Sequence, residues 1–177
     1  DIIFVEKPKQ LYFEENNLNV MQEKDVTGNV DPYRTGKING FAQSCMELVQ
    51  TGELNLKGEG VLAGVIDSGI DYRHSAFIRE DGSSRILSLW DQGLSGNPPD
   101  GTSIGTEYTR QDIEHALNST ENNVELLSAD NSGHGTGVGG VIASCVPDAD
   151  LIVVKLNEDD NGGFPRTTAL MMAVDYT

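Results

Sequence analysis

The sequence predicts an α/β domain: a parallel sheet flanked by helices on both faces. Two observations carry that reading. Short apolar runs that read as strands alternate along the chain with stretches of helical periodicity, the pattern of a parallel sheet covered on both sides. The second is the stretch Asn131 to Ser144, N-S-G-H-G-T-G-V-G-G-V-I-A-S. Glycine at 137, 139 and 140 costs a helix roughly 1 kcal/mol each against alanine, so some neighbour must gain from close backbone approach. A buried parallel strand is the expected neighbour.

Taken in order, Ile2-Ile3-Phe4-Val5-Glu6-Lys7-Pro8 is an apolar run closed by proline, a strand signal, and Lys9 to Asn39 is polar and irregular. Gly40 to Gly52 sets Phe41, Cys45, Leu48 and Val49 at helical spacing with Gly52 as a stop, which predicts a surface helix packed on the core. Gly60 to Asp71, G-V-L-A-G-V-I-D-S-G-I-D, reads as a buried strand ending in an aspartate and a glycine turn. A turn at Glu80-Asp81-Gly82-Ser83 leads into a short strand, Ile86 to Trp90. Gln92 to Thr106 is rich in glycine, proline and serine and reads as loop.

Thr109-Arg110-Gln111-Asp112 has capping-box character and opens a helix with Ile113, Ala116 and Leu117 on one face. Residues 118 to 130 are polar and expected to be exposed. The glycine-rich helix follows, capped by Ser132 or Asn131, with Val138, Val141 and Ile142 as its apolar body. Leu151 to Leu156 is the next strand. Thr167 to Tyr176, with Leu170, Ala173 and Val174 in helical register, is the last helix.

A chain of this length and apolar content can bury a core by itself. The formal net charge of −16 disfavours nucleic acid and anionic membrane as partners. No apolar run approaches the ~18 residues of a spanning helix. The two cysteines, Cys45 and Cys145, are far apart in sequence and fit small buried thiols better than a disulfide. Asn157 to Phe164 comes close to a calcium-loop pattern, but Thr168 stands where the closing glutamate belongs, which argues against an EF-hand.

His134 is the candidate for chemistry. An isolated histidine in a glycine-rich turn is structural more often than catalytic, and a second residue changes that weighting. A carboxylate is costly to bury without a partner, so Asp67, at the carboxyl end of its apolar strand, is expected to be paired or catalytic. Asp67 is therefore the expected partner of His134.

These two stretches resemble the subtilisin-like serine proteases, the subtilases. Val65-Ile66-Asp67-Ser68-Gly69-Ile70-Asp71 is similar to the family's apolar-D-[ST]-G-[IV]-D motif, and His134-Gly135-Thr136-Gly137-Val138-Gly139-Gly140 to its H-G-T-x-V-x-G motif. The order of the two motifs and the strand that follows them also agree. The wording from Asp71 to Phe77 and from Arg85 to Gln92 looks most like the clostridial germination-protease branch.

The resemblance implies peptide-bond hydrolysis of a polypeptide substrate by an aspartate, histidine, serine triad, with Asp67 and His134 as its first two members and no cofactor. It places the serine, in G-T-S-x-[AS]-x-P, well after the histidine, and no serine follows Ser144. Gly101-Thr102-Ser103 imitates that motif but precedes His134 and reads as a polar loop. The chain is thus expected to be about half a catalytic domain, incomplete and inactive alone, partnered by the missing C-terminal part, whether in the same polypeptide or as a second chain.

By the same resemblance, residues 1–39 are the tail of a propeptide and its junction and 40–177 the N-terminal part of the catalytic domain. An ordinary edge strand and loop remain an equal reading of Ile2 to Asn39. Asn161, Gly162, Gly163 and Phe164 are expected to bind the substrate backbone as an added strand.

The chain departs from the family where Gly137 replaces a second histidine and Gly139 an alanine, neither of which carries the proton. Members with a tight calcium site use an aspartate near the position of Ala76 and a loop after the histidine helix; here only Cys145 to Asp150 stand there, so no metal is expected. Two other classes of function fit parts of the sequence. A pseudoprotease acting as a regulatory or binding subunit would lack the serine, and intact Asp67 and His134 argue against it. Half of an aspartic protease would fit Asp67-Ser68-Gly69, but it needs two such carboxylates and gives His134 no role.

Overall fold

The computed structural model describes residues 46–51, 53–119, 126–157 and 165–177. The expected N-terminal strand, the boundary at 39/40 and Asn161 to Phe164 lie outside them. The described residues fall into two compact units, divided between Lys57 and Gly58. In the unit before Gly58, helix α1 is Met46–Gln50, part of the helix expected over 40–52, and the Leu56 N–H donates to the Val49 carbonyl.

The unit from Gly58 to Thr177 is an α/β sheet structure. Its elements run β1 (Leu62–Asp67), a short 3₁₀ helix (Ser75–Phe77), β2 (Ile86–Asp91), β3 (Thr106–Thr109), α2 (Arg110–Asn118), α3 (His134–Cys145), β4 (Asp150–Lys155) and α4 (Thr167–Tyr176). The sheet order is β1-β4-β2-β3, with β1, β4 and β2 parallel and β3 antiparallel to β2.

Strand β3 corrects the reading of Thr106 as the end of a loop. Thr106-Glu107-Tyr108-Thr109 is short but rich in residues that suit a pleated surface, and it pairs Tyr108 with Leu89 and Glu107 with Trp90. The capping box then opens α2 as the sequence predicts: Thr109 N–H donates to Asp112 Oδ2 at 2.8 Å while Thr109 Oγ1 accepts from the Asp112 N–H.

One face of the sheet carries Val65, Leu89, Leu151 and Val153, which share a core with Ile113 and Ala116 of α2 and Ala143 of α3. A register irregularity between Ile86 and Ser88 turns Ile86 to the same face as Leu89, since an odd spacing would otherwise put them on opposite sides. The other face carries Trp90, whose ring lies 5.1 Å from that of Tyr176 in α4. Gln92, also buried, donates from Nε2 to the Ala169 carbonyl of α4 at 2.9 Å. Helices cover both faces.

Helix packing differs from the sequence expectation in which residues are buried. In α3 the buried stripe is Gly135, Gly139 and Ala143, one residue per turn, and Val141 is exposed. In α4 it is Ala169 and Ala173, with Met171 and Val174 exposed. In α3 the approach is close at Gly135 and Gly139, where a Cβ would meet Gly69 and Asp67 or Ile70 and Phe77, while Ile142 packs against the core from the flank. Cys145, expected to be buried, is half-buried at the end of α3.

A buried arginine holds the far end of α3. Arg85, at the entry to β2, donates to the carbonyls of Ala76 (2.9 Å), Ala143 (3.2 Å) and Val146 (2.6 Å), and twice to that of Ala149 (3.2 and 3.1 Å). Burial draws its pKa below the ordinary arginine value, but that value is so high that the cation persists. Positive charge at the carboxyl end of a helix is also where the macrodipole favours it. Replacing Arg85 with Met leaves several buried carbonyls unpaired at about 1–3 kcal/mol apiece. Urea denaturation of Arg85→Met is therefore expected to show a loss of at least about 3 kcal/mol.

Candidate active site

Parallel strands deliver side chains to their carboxyl ends, where ligand sites of α/β sheets lie. Asp67 closes β1, and its register partner on β4 is Lys155, which in turn pairs with Asp91 at the end of β2. The three form one row across the sheet. Lys155 Nζ donates to the Ala129 carbonyl at 2.7 Å and lies 3.5 Å from Asp91 Oδ2.

His134 is the first residue of α3. Its Nδ1 stands 2.7 Å from Asp67 Oδ1, the same oxygen that accepts the Ser68 N–H at 2.7 Å. A carboxylate only accepts, so the proton of this contact sits on Nδ1. The Asp67 side chain is 11% exposed and that of His134 30%, a paired carboxylate below and a ring within reach of solvent above. Such a ring can carry a proton at its second nitrogen while the first stays oriented, the geometry general-base catalysis requires.

Close approach at Gly135 makes the contact feasible. A Cβ at Gly135 would stand 2.1 Å from the Gly69 carbonyl oxygen and 3.1 Å from Asp67 Cβ. The sequence reading put the close approach at 137, 139 and 140, and it is corrected in part: nothing lies within 4 Å of a Cβ at Gly137 or Gly140, while one at Gly139 would meet Ile70 and Phe77. The residue that must be glycine for the site is the one beside the histidine.

Ser132 helps cap the start of α3 through its hydroxyl, but neither it nor Asn131 occupies the N-cap position. The N-cap is Gly133, with φ of 75°, a left-handed conformation that glycine adopts without steric cost. The helix N–H groups left without partners are met one by one: His134 N–H by Ser132 Oγ (3.1 Å), Gly135 N–H by Ser68 Oγ (3.0 Å) and Thr136 N–H by Asp130 Oδ2 (2.8 Å).

Asp130 also accepts from the Thr136 hydroxyl (2.6 Å), the Ser68 hydroxyl (2.9 Å) and the Gly133 N–H (3.0 Å). Partial burial raises its pKa, but the bonds from Thr136, Ser68 and Gly133 outweigh that and leave it below the ordinary aspartate value. The sequence reading missed Asp130 by placing residues 118 to 130 among exposed polar residues. Within that stretch Ser128 is buried and Asp130 is half-buried. The missed signal is local: an aspartate followed at two and six positions by hydroxyl residues around a glycine is a turn-and-cap pattern.

Ser103, of the serine-like motif, lies in the loop between β2 and β3. Among the described residues no group of three His, Cys, Asp or Glu side chains could hold a metal ion, and no helix is long and apolar enough to cross a membrane.

Two outcomes follow from this geometry. Gly135→Ala forces the start of α3 away from Gly69 and Asp67, and is expected to destabilise by about 1–3 kcal/mol in thermal or chemical denaturation. Because the folded pKa of Asp130 is depressed, its contribution to stability is complete above pH ~5 and is lost as pH falls through the lower folded value. Stability measured from pH 6 to 2 should therefore fall less steeply in Asp130→Asn than in the parent.

No known family profile matches the chain, and no curated protein is similar to it in sequence. Among solved structures, that of the Clostridium perfringens CspB protease superposes with a TM-score of 0.63 at 29% identity. The match covers 77% of this chain but 28% of that one, so the chain spans well under half of the protein it matches. The mixed α/β sheet with its flanking helices is consistent with a protease-like fold, and the match suggests that of the clostridial protease.

Proposed function

We propose that the chain is the N-terminal part of the catalytic domain of a subtilisin-like serine endopeptidase. The observation that carries the reading is the 2.7 Å contact between His134 Nδ1 and Asp67 Oδ1, built at the carboxyl edge of a parallel sheet from the two motifs that resemble the subtilases. Likeness to a clostridial protease supports the same class.

In this reading Asp67 holds the ring in the tautomer with its proton on Nδ1, and Nε2 takes the hydroxyl proton of a serine supplied by polypeptide outside these 177 residues. The serine oxygen attacks the scissile carbonyl, and Asp67 stabilises the imidazolium that results. His134 then gives the proton to the departing amine, leaving an acyl-enzyme that water hydrolyses by the same steps. Asn161 to Phe164 are the proposed strand-like docking segment for the substrate backbone, and 1–39 the propeptide tail and junction.

The test is peptide turnover and labelling by a fluorophosphonate in the full protein that contains this chain. Turnover that the reagent abolishes is expected, with Asp67→Asn lowering kcat by about 10⁴ and His134→Ala abolishing it, while residues 1–177 alone hydrolyse nothing. A folded full protein that neither reacts with the reagent nor turns over peptide is a pseudoprotease.

A further inference from the structure

We infer that Asp130 is the positioning residue of the His134–Asp67 pair: its carboxylate binds the start of α3 to the segment that follows β1, and so fixes where imidazole and carboxylate meet. The kinetic consequence rests on the protease reading, whereas the positioning itself rests on geometry alone.

The distribution of its bonds makes the case. Oδ1 takes the hydroxyl of Ser68, next to Asp67 in the chain, and the N–H of Gly133, next to His134. Oδ2 takes the N–H and hydroxyl of Thr136. That hydroxyl in turn accepts the N–H of Asp71 at 2.9 Å, so Thr136 ties the helix to the far end of the β1 turn. Ser68 Oγ, while donating to Asp130, accepts the Gly135 N–H at 3.0 Å and the Ser132 hydroxyl at 2.8 Å. One side chain thus joins both segments that carry the pair, through the residues next to Asp67 and His134 in sequence. Its own place is set from the sheet, where Lys155 grips the neighbouring Ala129 carbonyl.

Two acceptor oxygens are needed. An asparagine offers one, and its amide NH₂ would face either the Thr136 donors or those of Ser68 and Gly133, whichever way it is turned. Asp112 supplies the contrast: it caps α2 through Thr109 alone and reaches no second segment of the site.

The experiment compares Asp130→Asn with Asp112→Asn in the full protein. It reads the far-downfield proton resonance of the His134 Nδ1–H, assigned by its loss in Asp67→Asn, together with kcat and KM. Asp130→Asn is expected to abolish or broaden that resonance and to lower kcat about 10²-fold with KM unchanged, because misplacement of the base affects the reacting geometry. Asp112→Asn should lower the melting temperature yet keep both the resonance and kcat.

If Asp130→Asn retains the resonance and kcat as Asp112→Asn does, Asp130 is only a helix cap and the inference fails. Absence of the resonance in the parent protein also overturns it. Where Asp130→Asn does not fold, Thr136→Val removes a single tether, and an unshifted resonance in that variant counts against the inference. A parent protein without peptidase activity refutes the protease reading, and the resonance still decides the positioning.

Discussion

The site depends on how closely the start of α3 can approach the end of β1. Gly135 lies where any side chain would overlap the Gly69 carbonyl. In a helix each Cα–Cβ bond tilts toward the N-terminus, so a first-turn residue projects its side chain beyond the helix start. With Gly135 against the β1 turn, His134 at the head of the helix projects over Asp67, and the ring nitrogen comes to 2.7 Å from the carboxylate. A separation larger by the width of one methyl group would leave a buried carboxylate without its partner, which costs more than a neutral lost contact.

Close approach has a cost that the rest of the fold offsets. Helix α3 carries Gly135, Gly137, Gly139 and Gly140, and its intrinsic propensity is low by several kcal/mol, at roughly 1 kcal/mol each. It is held from outside at both ends by ions of the sign its dipole favours: Asp130 at the amino end and Arg85 at the carboxyl end. Their hydrogen-bond partners at the helix ends are N–H, O–H and C=O groups. A helix anchored by its termini can present a smooth, small-residue face to the core without needing large apolar side chains to grip it. The exposed Val141 beside the buried Gly139 and Ala143 is the visible result.

Asp67 and His134 were legible in the sequence because each sits at a boundary that local rules detect, the end of an apolar run and the entrance of a glycine-rich helix. The parallel strands were legible for the same reason, and the capping box at Thr109 gave the start of α2 to the residue. Arg85 was not: it follows a polar turn, and only the three-dimensional meeting of β2 with the end of α3 surrounds it with carbonyls. Asp130 was hidden in a polar stretch whose composition says exposure, while its partners Ser68 and Thr136 lie on separate elements. Strand β3 was too short for alternation to register beside the glycine and proline of the loop before it. Helical periodicity located α3 and α4 and picked out Ala173, which is buried, and Ile142, which packs on the core, but it also counted Val141 and Val174, which are exposed, because it weighs hydrophobicity where the packing here favours small residues.

The row Asp67, Lys155, Asp91 explains why charge collects at this edge without unravelling it. Asp91 is buried, with Oδ1 accepting the Gly93 N–H and Oδ2 facing Lys155 Nζ, so the lysine answers a carboxylate on one strand while its hydrogen bond goes to Ala129. That leaves Asp67, on the outer strand of the row, to be answered by His134 and the Ser68 N–H. Had Lys155 paired with Asp67 directly, the ammonium would have competed with the imidazole for the same oxygen, and the ring would have lost both its orientation and the benefit of a carboxylate when it becomes charged. Drawing the lysine toward Asp91 and the Ala129 carbonyl keeps Asp67 for the histidine. The same lysine contact steadies the residue next to Asp130, so the arrangement of charges on the sheet and the placement of the helix are one constraint seen from two sides.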